Sequence, residues 1–211
     1  MLSEKARRFP KRGFLIALEG IDGAGKTTQA QSLKLHLEQK GFEVVVLKEP
    51  TMGSWGRKIA RMGQTGRNLT AKEESQYFLE DRKEDVKKNI LPSLEKGKVV
   101  IMDRYFYSNM AYQGAKGLSP TVIERDNSFA PKPSLVLLLN ISPATAKERI
   151  FRHRNGETNH FEERLGPVQR LFLKIASSHP EITVIDGGQP ADQVRTQIQS
   201  AVDALIVEYE E

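Results

Sequence analysis

Gly20-Ile-Asp-Gly-Ala-Gly-Lys-Thr27 brings together the residue types that hold a chain of phosphates. Gly20 and Gly25 let the backbone curl so that successive N–H groups converge on an anion. Lys26 supplies a positive charge for the β- and γ-phosphates, and the Thr27 hydroxyl is a hard oxygen ligand for Mg²⁺. Ile21, Asp22, Gly23, Ala24 and Thr28 complete the loop. The apolar run Phe14–Leu18 reads as a strand leading in, and the segment after the loop reads as a helix. Such a helix aims its positive end at the same anions. This is the order of a P-loop, and it implies binding of a nucleoside triphosphate.

Asp103-Arg104 follows a second apolar run, Val99–Met102, in the place of a Walker B element. Asp103 suits the Mg²⁺ shell, usually through water. An ATPase often carries a water-activating carboxylate next; here the residue is Arg104, suited to gripping a second phosphate. No Asn-Lys-x-Asp guanine-reading motif occurs, which counts against a GTPase switch. Together these features point to transfer onto a phosphorylated acceptor.

The elements that must position these residues alternate along the chain. Phe14–Leu18, Val44–Leu47, Val99–Met102, Leu135–Leu139 and Ile182–Ile185 read as strands. A helix after the loop carries Ala30, Leu33 and Leu37 on one face and ends at Gly41. Thr70-Ala-Lys-Glu73 has the form of a capping box and opens a long helix to about Leu91. Ser119-Pro120 and Ser142-Pro143 each read as an N-cap followed by proline in the first turn. Phe161, Leu165, Val168, Phe172 and Ile175 mark a late helix. A final helix from about Ala191 buries Val194, Ile198, Val202 and Leu205. Short uninterrupted apolar strands between helices imply an α/β, three-layer P-loop fold with a five-stranded parallel sheet covered on both faces. Ligands are then expected beyond the C-terminal strand ends.

Composition bounds the alternatives. With 211 residues, 38% hydrophobic and 28% charged, the chain is an ordinary single globular domain. Cysteine is absent, which excludes disulfides and thiolate metal sites and fits a reducing compartment, the cytoplasm. No apolar run is long enough to cross a bilayer, and no apolar stretch follows the basic N-terminus to make a secretory signal. Of the net charge of +5, residues 1–12 carry +4 from Lys5, Arg7, Arg8, Lys11 and Arg12 against Glu4. The remainder is only +1, which argues against a nucleic-acid partner and for a disordered basic tail ahead of a domain at 13–211.

At this point GFLIALEGIDGAGKTTQ and DRYFYSNMAYQG, with Tyr77–Arg82, Lys48-Glu-Pro50 and the block 131–150, resemble the thymidylate kinase family of nucleoside monophosphate kinases. The resemblance runs from Gly13 to the last helix. It implies ATP and dTMP as substrates, Mg²⁺ as the metal and a homodimer. It places thymine stacking on Phe78, base reading on Arg82, the acceptor phosphate on Arg104 and contact with the base region on Asn109. Tyr112 would lie under the deoxyribose, with Gln113 beside it; Asp22 would approach the acceptor sugar or the metal, and Arg61 would reach the acceptor phosphate. A charged segment at about 149–162 reads as a lid. Gly23 and Ala24 leave the P-loop without an arginine, so Arg152 or Arg154 would stabilise the transferring phosphoryl, as in that branch of the family.

One departure opens a rival. Where many members carry Arg-Glu-Pro-Gly-Gly-Thr, this chain has Lys48-Glu-Pro-Thr-Met-Gly-Ser-Trp55. Glu49 with a nearby tryptophan also suits a deoxynucleoside kinase, in which that glutamate activates a sugar hydroxyl. A phosphate monoester needs no such base, being largely dianionic at neutral pH. A non-catalytic ATP-binding regulatory module is the rival from another class.

Overall fold

The five aliphatic runs form strands in a computed structural model of the protein, which describes residues 13–65, 69–153 and 164–210. They are β1 (Leu15–Glu19), β2 (Val44–Lys48), β3 (Val99–Asp103), β4 (Leu135–Asn140) and β5 (Ile182–Asp186). Each runs one residue beyond its apolar stretch and ends on a polar side chain: Glu19, Lys48, Asp103, Asn140 or Asp186. Backbone pairing does not need an apolar side chain, so the ladder continues to where chemistry begins. All four pairings are parallel, in the order β2-β3-β1-β4-β5. Leu18 is in register with Asp103, and so is Lys48 from the other side, which sets the P-loop, Lys48 and Asp103 at one strand edge.

Nine α-helices are found among the described residues: α1 (Lys26–Gln39), α2 (Ser54–Thr65), α3 (Ala71–Asp85), α4 (Leu91–Glu95), α5 (Phe106–Tyr112), α6 (Pro120–Asp126), α7 (Pro143–His153), α8 (Leu165–Ala176) and α9 (Ala191–Glu210). Their apolar faces join the sheet in one core: Ala30, Leu33 and Leu37 from α1, Val168 and Phe172 from α8, Val194, Ile198 and Val202 from α9. Each fully buried aliphatic side chain of this kind contributes about 1.5–3 kcal/mol. On α9 the buried position is Ile206, with Leu205 only partly covered. Every residue of β1 is buried, including Glu19.

Local signals set most helix ends. Thr70 and Glu73 form the full capping box of α3, and Gly41 follows α1 at φ 90°. The Ser142 hydroxyl accepts from the Thr145 N–H at 3.0 Å, whereas Ser119 makes no side-chain cap bond. The long helix does not stop near Leu91. A π turn over Val86–Ile90, with the Leu91 N–H donating to the Val86 carbonyl, carries it into α4. Pro92 then sits in the first turn of α4, where its missing N–H is tolerated.

Candidate active site

Close approach forces two of the loop's glycines. Gly20 has φ 137°, and a Cβ there would stand 2.5 Å from the Leu139 carbonyl oxygen. At Gly23, φ 79°, it would stand 2.7 Å from the Ala146 oxygen. At these two positions the loop lies against β4 and α7 with no room for a side chain, whereas Gly25 has open space and is favoured by its φ of 94° alone. Lys26 is buried inside its curl and donates to the Gly20 and Ile21 carbonyls at 3.0 and 2.9 Å. Burial, with Arg104 nearby, lowers its pKa to about 7 against the pull of Asp22, Asp103 and Glu19.

Thr27 Oγ1 donates to Asp103 Oδ2 at 2.5 Å, and Lys48 Nζ lies 3.2 Å from that hydroxyl and 3.3 Å from Asp103 Oδ2. Asp103 Oδ1 is buried and without a hydrogen-bond partner. Burial would raise the Asp103 carboxyl, but Lys26, the Thr27 hydroxyl, Lys48 and Arg104 hold it below its ordinary value. One hydroxyl and one ionised carboxylate with an open oxygen are hard donors that fit Mg²⁺. Among the described residues no group of three or more His, Cys, Asp or Glu could hold a metal. The pair therefore suits a metal that takes its other ligands from water and phosphates.

Arg104 adopts φ 76°, a left-handed backbone that a branched or long side chain pays for in strain and that clusters at functional sites. That turn sends the guanidinium back over the P-loop. Nη1 donates to the Gly20 carbonyl at 3.2 Å and to Ser108 Oγ at 3.1 Å, and Nη2 donates to Asp22 Oδ1 at 2.7 Å. Burial alone would lower its pKa; Tyr112, Asp22, Asp103 and Glu19 outweigh burial and hold it firmly charged. The Tyr112 hydroxyl donates to Asp22 Oδ2 at 2.9 Å and accepts from the Asp22 N–H at 3.1 Å. Below them, Glu19 accepts from the N–H groups of Tyr105 and Ser108 at 2.8 and 3.1 Å and from Ser108 Oγ at 2.5 Å. A carboxylate thus anchors the start of α5 and with it Ser108, Asn109 and Tyr112.

A second wall comes from α3. Arg82 is 1% exposed, and its Nε and Nη2 donate to the two oxygens of Glu49 while Nη1 donates to Asn127 Oδ1 at 2.6 Å. Asn127 is held in turn by the Ile123 carbonyl at 2.7 Å. Burial raises the Glu49 carboxyl, and the Arg82 charge opposes that rise. The loop after β2 is pinned to the same helix, with Thr51 donating from N and Oγ1 to Asp81 at 2.7 and 2.6 Å. Phe78, one turn before Arg82, stands half-buried in this wall.

These walls enclose a cleft of about 820 Å³. Its lining contains Asp22–Thr28, Glu49, Phe78, Arg82, Asp103, Arg104, Asn109, Tyr112, Gln113 and Arg152 of the residues expected from sequence. Gly20 and Ile21 stand behind it and offer their carbonyls to Lys26. Arg61 is exposed on α2 and does not line the cleft, although Ile59 and Ala60 do. Arg152 is 75% exposed and pairs with Glu148 at 2.6 Å; Arg149 lines the cleft and donates to the Gly187 carbonyl at 3.0 Å. Arg154, most of the expected lid, Phe161 and the basic tail lie outside the described residues. Sequence reasoning passed over Glu19, Glu74 and Asn127, and gave Lys48 no role. Only Lys48 and Glu19 had a signal, as polar residues closing apolar strands beside the motifs.

A parallel sheet in this order, with the P-loop after its central strand and Asp103-Arg104 after the neighbouring one, defines a P-loop kinase fold. The comparisons with known proteins are more specific. A family model described as thymidylate kinase matches residues 18–198. A thymidylate kinase of Xanthomonas campestris pv. campestris (strain B100) is 46% identical over 200 residues, covering 93% of this chain and 86% of its own. One from Xanthomonas oryzae pv. oryzae (strain PXO99A) is 44% identical over the same shares. A probable thymidylate kinase of Archaeoglobus fulgidus is 40% identical over 195 residues, 91% of this chain and 96% of its own. The chain belongs to the thymidylate kinase family.

Proposed function

We propose that the protein transfers the γ-phosphoryl group of ATP to dTMP, giving dTDP and ADP. The observation that carries this reading is the Arg104 guanidinium. It is held charged where a hydrolase would place a water-activating acid, in one cleft with Lys26 and with the Phe78–Arg82 wall. The protein forms no covalent bond to phosphorus; it aligns two anionic reactants and offsets their repulsion. Lys26 and the P-loop N–H groups hold the donor phosphates, Arg104 the acceptor phosphate, and Phe78 and Arg82 the base. Thr27 and Asp103 would hold Mg²⁺, which when bound neutralises charge on the donor phosphates. Asp22 is clamped by Arg104 and Tyr112, and in this reading it would approach the acceptor sugar or the metal. Arg149 and Arg152 reach the cleft from α7, where their charge would stabilise the transferring phosphoryl; the same role is proposed for Arg154, which lies outside the described residues.

The hydroxyl-phosphorylating rival has less support. Both oxygens of Glu49 accept from Arg82, so that side chain is engaged in holding the arginine. Trp55 packs on Tyr77 at 5.4 Å between α2 and α3, and it is not part of the cleft lining. Among the described residues no helix is long and apolar enough to cross a membrane. A cytoplasmic homodimer that takes small nucleotides rather than nucleic acid belongs to the same proposal. ATP consumption with dTMP, thymidine, dUMP and dCMP tests the assignment. Saturable turnover is expected with dTMP at the highest kcat/KM. Turnover confined to unphosphorylated nucleosides would overturn it, and ATP binding with no turnover on any acceptor would favour the regulatory module.

A further inference from the structure

Behind the acceptor wall runs a chain of polar side chains in which each partner dictates the next. Lys116 Nζ donates to both oxygens of Glu74 at 2.7 and 2.8 Å, and Glu74 is 2% exposed. A carboxylate facing a lysine only accepts, so the Gln113 amide must turn its Nε2 toward Glu74, where it lies 3.4 Å away. Gln113 is fully buried, and its Oε1 then faces Asn109, whose Nδ2 donates to it at 3.1 Å. An amide has its donor and acceptor at opposite ends. The polarity set by Lys116 therefore passes through two amides and leaves Asn109 Oδ1 as the unused end. That oxygen is buried in the cleft wall without a hydrogen-bond partner. Buried polar atoms are nearly always paired, and an orphan in a ligand cleft calls for a donor from the ligand.

We propose that Lys116, Glu74 and Gln113 are positioning residues: they lock the Asn109 amide with its oxygen toward the acceptor base and so select a base whose ring edge carries an N–H. The inference rests on reading the cleft as a nucleotide-acceptor site. An imide pyrimidine such as thymine or uracil meets that oxygen with its ring N–H. Cytosine brings a ring nitrogen that also accepts, and two acceptors face each other with neither satisfied. Glu74 and Lys116 do not line the cleft, so they act on the base only through the amides.

Glu74→Gln exchanges one oxygen for an NH₂ group and tests the lock. Lys116 keeps the remaining oxygen, the new amide nitrogen faces Gln113, and both downstream amides turn over. Asn109 then presents a donor. The measurement is kcat/KM for dTMP and for 5-methyl-dCMP, which keeps the 5-methyl group and changes the ring edge, in wild type and E74Q, with KM for ATP alongside. The dTMP to 5-methyl-dCMP preference should fall about tenfold, the equivalent of one hydrogen bond, through KM for the acceptor. KM for ATP should not move. An unchanged preference in a folded E74Q overturns the relay. Should E74Q fail to fold, Gln113→Leu frees Asn109 to turn either way and must likewise erode the preference; a retained preference there overturns the relay as well. Absence of dTMP turnover in the wild type overturns the functional reading itself, whereas dTMP turnover with an unmoved ratio removes the relay alone.

Discussion

Lys26 finds its carbonyl partners five and six residues away, whereas Arg82 finds Glu49 and Asn127 across 33 and 45 residues of chain. The phosphate loop is close to a local structure, shaped by its own glycines and closed on its own lysine. The acceptor wall exists only once α3, the loop after β2 and the end of α6 have come together. In the loop, a cation is held at the expense of desolvation, so function and stability pull apart. In the wall, the same bonds hold the fold together and hold the groups that would read the base. Substitutions at the two sites should therefore differ in kind.

Lys26→Met should give the largest effect and break the comparison on the functional side alone. Loss of a preorganised cation on the transferring phosphates lowers kcat by about a thousandfold. Thermal unfolding of the nucleotide-free protein should be unchanged or shifted upward, because a desolvated ammonium is replaced by an apolar chain of similar length. Steady-state kinetics and a melting curve on one preparation check both halves. Near-normal kcat would remove Lys26 from the role given to it.

Asn127→Ala probes the wall and should move both properties. It leaves the Arg82 Nη1 donor without its partner in a buried setting, a loss of about 1–3 kcal/mol, while the Ile123 carbonyl keeps the backbone N–H of residue 127. With Arg82 less firmly held, KM for dTMP should rise by about tenfold while KM for ATP stays put. Urea unfolding and the two KM values decide it. Equal rises for both nucleotides would mean that the wall does not belong to the acceptor.

The same contrast explains what could be read from the chain beforehand. The P-loop, Asp103-Arg104 and the order of five strands are carried by short contiguous patterns, and the structure reproduces them to within a residue. Asn127 stands in an unremarkable polar stretch after α6, and nothing local says that Arg82 will reach it. Glu74 looks like one more acid in the first turn of α3, yet it is buried beneath Lys116. Arg61 shows the limit from the other direction. Ile59 and Ala60 face the cleft, and a helix turns about 100° per residue, which carries the next side chain out of the wall. The helix past Pro92 was hidden because a π turn, which has no sequence signature, absorbs the proline.

The smallest expected signal is a proton, and it sharpens the loop's half of the comparison. Lys26 in the folded, nucleotide-free protein titrates near 7, below the 10.5 of an ordinary lysine. Between those values the unfolded chain holds a proton that the folded one lacks, so this group's destabilisation is complete below pH 7 and fades as pH rises toward 10.5. ATP reverses the balance by surrounding the amine with phosphate oxygens, which favour the charged form. At pH 8 the free protein carries mostly neutral Lys26, the terminal phosphate has already lost its proton, and binding must draw one from solvent. Calorimetric titration in two buffers of different ionisation enthalpy should show uptake of about one proton per ATP, with affinity falling as pH rises. Lys26→Met should abolish that uptake. A wild-type titration with no buffer dependence would mean that the amine is charged before ATP arrives, and that the loop bears no desolvation cost in the resting protein.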